Sequence, residues 1–166
     1  MYIPRDGDIL VYTENPDLVD QGIDFFERLE DGQQQTYAYH VAIALNANTQ
    51  IAAYKRVSIH PIGYDGKFMA YRPPITPRRR ENGLEYVKSF NGQAYDYWLI
   101  FDDALRYSTR NLIHLPVSFV RSQERHAKVC SSLVAKYFQA AHFPGDWGFW
   151  TSPEDVYLAI QNFRVG

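Results

Sequence analysis

Tyr39-His40-Val41-Ala42-Ile43-Ala44-Leu45 is a short run dense in β-formers, with one imidazole at its entry. Asn46-Ala47-Asn48-Thr49 follows as a turn and Gln50 to Tyr54 as a returning strand, so the stretch reads as a β-hairpin. Outward from it, Asp6-Gly7-Asp8 is a turn signal ahead of the strand-like Ile9-Leu10-Val11-Tyr12. On the other side, Val57-Ser58-Ile59-His60-Pro61-Ile62 alternates as a strand, and Phe68 to Arg72 is a further one, cut off by Pro73-Pro74.

Helical signals surround these strands. Leu18, Gly22, Phe25, Phe26 and Leu29 predict a helix over 17–30, started by Asn15-Pro16-Asp17 and ended by Asp31-Gly32. Residues 81–90 have helical propensity and end at Asn91-Gly92, while 72–80 reads as a Pro/Arg loop. Residues 93–103 are aromatic and acidic, with room for a short helix, and 112–120 is an apolar stretch broken by Pro116. The clearest helix is 127–141, with its stripe of Val129, Leu133, Val134, Tyr137, Phe138 and Ala141. Ser152-Pro153-Glu154-Asp155 starts another: a capping serine, proline at the first helical position and acids at the positive end. Strands and helices together give an α+β fold.

The 166 residues suit one domain, 1–166, with a real core. A net charge of -2 gives no global attraction to nucleic acid or an anionic membrane. Arg78-Arg79-Arg80 is a local basic cluster whose plain reading is a solvated loop. One cysteine excludes an intrachain disulfide and disfavours a cysteine-based zinc site. There is no HExxH, no paired Cys/His spacing, no phosphate-cradling glycine loop and no nucleic-acid motif, so no metal, cofactor or nucleic-acid partner is expected. No apolar run is long enough to span a bilayer. Residues 1–10 lack a signal-peptide core, so cytoplasmic synthesis is expected, with any later delivery to a virion or the cell wall made by another machine. The 13 Tyr, 10 Phe and 3 Trp are core material first and groove lining for a peptide, glycan or acyl chain second.

A lone cysteine is either a small hydrophobe or a nucleophile. Cys130 falls in the first turns of the 127–141 helix, where unpaired N–H groups and the dipole favour a thiolate. An imidazole nearby would lower the thiol pKa further and shuttle the proton. The commoner alternative is a buried structural thiol. Five histidines compete for the partner role (His40, His60, His114, His126 and His142), and spacing alone does not rank them.

Three motifs in order resolve the ranking: Gly7-Asp8 with its apolar strand, His40-Val41-Ala42-Ile43, and Cys130-Ser131-Ser132-Leu133-Val134. Together they resemble the circularly permuted branch of the NlpC-type papain-like cysteine peptidases, which includes YiiX-like proteins and the lecithin:retinol acyltransferase group. Ser152-Pro153-Glu154-Asp155-Val156 and Gly92-Gln93-Ala94-Tyr95-Asp96 resemble further elements of that branch. The resemblance implies a papain-like (permuted NlpC) fold, an antiparallel sheet or small barrel packed against helices including the Cys130 helix. It implies Cys130 as nucleophile and His40 as general base. The implied activity is hydrolysis of amide bonds through a thioester, with a peptide or peptidoglycan-like substrate and, in a phage setting, other virion proteins as partners. Acyl transfer or thioester hydrolysis on the same fold, or an inactive binding module, are the alternatives. One departure stands out: the residue that orients the imidazole in the family falls on Ala52, which has no hydrogen-bonding group. Gln50 and Tyr54, on the same strand face, are candidate replacements. The backbone N–H of Cys130 is the candidate oxyanion donor, with a second near Tyr12.

Overall fold

The computed structural model describes residues 2–13, 38, 40–53, 56–63, 66–93, 130–148 and 151–166. The expected helix over 17–30, the segments 94–103 and 112–120, and the candidates Tyr54, His114 and His126 lie outside them. Among the described residues the chain is α+β. Strands β1 (Ile9–Tyr12), β2 (His40–Ala44), β3 (Thr49–Ala53), β4 (Val57–Pro61) and β5 (Phe68–Tyr71) form an antiparallel sheet in the order β4-β3-β2-β1-β5. Three α-helices accompany it: α1 (Pro77–Lys88), α2 (Cys130–Ala140) and α3 (Pro153–Ile160).

The hairpin forms as its residues dictate. Asn46 closes it by accepting, through Oδ1, from the N–H groups of Asn48 at 2.8 Å and Thr49 at 2.9 Å. That is the side-chain turn for which asparagine is favoured. Alternation then divides the sheet. Ile9, Val11, Val41, Ile43, Ile51 and Ala53 belong to the same apolar cluster as the buried side chains of α2. Leu10, Tyr12, Ala42, Ala44, Ala52 and Ala70 make a second cluster on the opposite face. Because both faces are buried, these strands read as continuous apolar runs rather than as apolar-polar alternation.

The Gly7-Asp8 pair proves to be a structural joint. Gly7 has φ +78°, and a Cβ there would lie 2.5 Å from the Tyr137 hydroxyl and 2.6 Å from Arg80 Cγ. Asp8 is fully buried. Its carboxylate accepts from Arg72 Nε at 2.8 Å and Nη2 at 2.9 Å, from the Arg5 N–H at 2.8 Å and from the Tyr2 hydroxyl at 2.5 Å.

One expectation is corrected. Residues 77–80 are the first turn of α1, not loop. Pro77 sits at the start of the helix, where its missing N–H costs nothing and its fixed φ suits the turn. The three arginines are good helix formers. Arg80 turns back to donate to the Ile75 carbonyl at 3.1 Å and approaches Asp6 at 4.0 Å. At α3 the cap reads as expected: Ser152 and Asp155 exchange backbone hydrogen bonds in a capping box. The two outer strands are also partly covered. Val57 of β4 exchanges hydrogen bonds with Gly92 and Gln93, and Ala70 of β5 with Val165 and Gly166. No described helix is long and apolar enough to cross a membrane.

Candidate functional site

His40 is the first residue of β2 and pairs with Tyr12, the last of β1. It is 8% exposed. The Tyr12 and His40 rings lie 5.7 Å apart with a 48° tilt, which places His40 on the alanine-lined face. Cys130 is the first described residue of α2, 3% exposed, and belongs to the cluster on the other face, with Val41 and Ile43 as fellow members.

One anchor places the later turns of α2. The Tyr137 hydroxyl donates to the Gly7 carbonyl at 3.4 Å, and the Gly7 N–H donates to Ala44 at 2.8 Å. The later turns of α2 thus sit at the Ala44 end of β2. Cys130 lies seven residues, about 10 Å along the helix axis, from that anchor. The two side chains start from opposite faces of the sheet. They can meet only past the end of β2 that begins with His40, where neither has to cross the sheet.

The remaining candidates separate on register. Gln50 pairs with Ala44, four residues along β2 from His40, so its Cα is about 14 Å from that of His40. Its Oε1 accepts from the Tyr12 hydroxyl at 2.5 Å. Tyr12 is paired on both sides, with His40 and with Phe68. A strand N–H so placed faces a neighbouring strand rather than an open site, and the register gives no support to an oxyanion donor there. Ala52 lies on the His40 face, fully buried. His60 stands opposite Gln50 on β4, two strands from β2, with its Nε2 2.7 Å from Ser58 Oγ. His142 follows the far end of α2, at φ +50°.

Two contacts escaped the sequence reading. One is the Tyr12–Gln50 hydrogen bond, whose only signal is that 12, 40, 50 and 52 fall on one face once the register is known. The other is Glu154, in the first turn of α3, which accepts from the Ala38 N–H at 3.2 Å and so ties α3 to the chain just ahead of His40. Nothing in the residue types announces a contact across 116 positions.

A shallow cleft of about 280 Å³ opens beyond the other end of α2, lined by residues 144–147 with Thr151, Asp155 and Ala159, and it includes neither Cys130 nor His40. Among the described residues no group of three or more His, Cys, Asp and Glu side chains could hold a metal ion. The chain matches no protein-family model, no curated protein and no solved structure.

Proposed function

We propose that the chain is a cysteine hydrolase of amide bonds on a permuted NlpC, papain-like fold, acting on peptides of the peptidoglycan stem type through Cys130 and His40. The observation that carries this is the packing of α2, which holds the single cysteine of the chain, against β2, the strand that opens with His40. The order of the Gly7-Asp8 strand, the His40 strand and the Cys130 helix supports the same reading.

In this reaction Cys130 Sγ attacks the amide carbonyl carbon as His40 takes the thiol proton. The C–N bond then breaks, the amine leaves with the proton from His40, and a thioester remains on Cys130. Water gives a proton to His40 as it attacks the thioester carbonyl. The acid departs and the proton returns to sulfur. Backbone N–H groups at the start of α2 are suited to stabilise the oxyanion.

A second reading is a binding or structural module on the same fold. The 3% exposure of Cys130 favours it, because a buried thiol in apolar surroundings is held in its inert neutral form. So does the methyl group of Ala52. Incubation with stem peptides, followed by mass spectrometry of both peptide and protein, separates the two. Cleavage that Cys130→Ala abolishes, with a protein mass increased by the acyl fragment at early times, is the expected result. Intact peptides with wild-type protein across the neutral range would favour the module.

A further inference from the structure

On the premise that Cys130 and His40 react together, we infer that Tyr12, locked by Gln50, is the positioning residue for the His40 imidazole. In this role it stands in for the polar side chain that Ala52 lacks.

Tyr12 and His40 are direct cross-strand partners, and their rings are in tilted contact at 5.7 Å. A ring packed against a ring limits the imidazole's rotation only if it is itself held. Tyr12 is held at its far end, where the hydroxyl donates to Gln50 Oε1 at 2.5 Å. Gln50 is on β3, two strands from β1, and its register partner Ala44 lies four residues along β2 from His40, the register partner of Tyr12. The two long side chains therefore meet only by lying extended across the sheet. The line between them crosses Ala42, with Ala44 and Ala52 at its sides.

All three residues on that path are alanines, and all are fully buried in the cluster that contains Tyr12. Only a surface of methyl groups leaves space for a phenol ring lying flat on it. A polar side chain at position 52, reaching toward His40, would compete with Tyr12 for that volume. Ala52 thus belongs to a different solution of the same problem: the imidazole is oriented by a clamped aromatic ring instead of by a hydrogen-bonding side chain. Phe68, on the other side of Tyr12 with ring centroids 5.9 Å apart, closes the pocket around the phenol.

The test is the pH–rate profile for alkylation of Cys130 by iodoacetamide. It is measured in the wild type, His40→Ala, Tyr12→Phe and the double variant Tyr12→Phe/Gln50→Leu. The double variant removes both partners of this hydrogen bond together, so the Gln50 Oε1 is not stranded as it is in Tyr12→Phe alone. Circular dichroism and the urea midpoint identify the variants that keep the fold, and only those are compared. In both phenylalanine variants the apparent thiol pKa should rise part of the way toward that of His40→Ala, by about one unit, or tenfold in rate on the acid side. The double variant should go no further than Tyr12→Phe. If His40→Ala shifts the profile and the folded phenylalanine variants do not, the positioning role of Tyr12 is overturned while the Cys130–His40 pair survives. If His40→Ala also leaves the profile unchanged, the pair itself fails and the inference with it.

Discussion

At the scale of single residues, Asp8 carries the largest electrostatic demand among the described side chains. It is fully buried, and a carboxylate there is tolerable because Arg72 meets both of its oxygens. Removing one member of such a pair leaves a buried charge uncompensated. Arg72→Met is therefore expected to lower the unfolding free energy by about 3 kcal/mol, near the bottom of the usual range because Arg72 still reaches water. A urea titration measures it, and a loss under half that size would mean that the Arg5 N–H and Tyr2 suffice for Asp8. Tyr2 gives a pH dependence. Its hydroxyl is pushed up to about 12, first by burial, then by its hydrogen bond to Asp8 and the carboxylate's charge. An unfolded tyrosine ionises near 10. Below about pH 10 both states keep the proton and the stabilisation is complete. From there to about pH 12 only the folded state keeps it, so stability falls as pH rises. Tyr2→Phe should flatten that fall in alkaline denaturation, leaving the part due to Tyr71 and Tyr137, which burial also raises.

Between elements, the contact of α1 with α2 turns on Gly83. In an exposed helix Gly→Ala adds stability. Here the added Cβ would meet the Tyr137 ring at 2.8 Å and the Tyr137 carbonyl at 3.1 Å. Gly83→Ala should therefore destabilise, by about 1–3 kcal/mol as overpacking does; a higher melting temperature would show that the two helices can separate at little cost. The strands were legible in the sequence because each is a short β-rich run bounded by turn residues, and α3 because Ser152, Pro153 and Asp155 are all cap chemistry. The start of α1 was misread because Pro73, Pro74 and Pro77 look alike in a row, although only Pro77 occupies a position where proline begins a helix. The Tyr12–Gln50 clamp was not legible, since a side-chain contact across two strands depends on a register that residue types do not state. Tyr12 was singled out for its backbone and Gln50 as a direct partner of His40. Both belong to the face that carries His40, joined to each other.

For the whole molecule, the topology relates the early motifs to the late one. Strands β1 and β2 lie side by side at the centre of the sheet. Helix α2, which carries Cys130 ninety positions after His40, returns to pack against β2. Glu154 adds a tie from α3 to Ala38, just ahead of the His40 strand. The most direct test is an ultraviolet titration of the Cys130 thiolate in the wild type and in His40→Ala, with Cys130→Ser as the blank. With a single cysteine in the chain, the thiolate signal has one source. A thiolate that forms well below the ordinary value of about 8.5 in the wild type, and returns to that value in His40→Ala, is the predicted result. A thiol that ionises at or above the ordinary value in both proteins would contradict the pairing of Cys130 with His40.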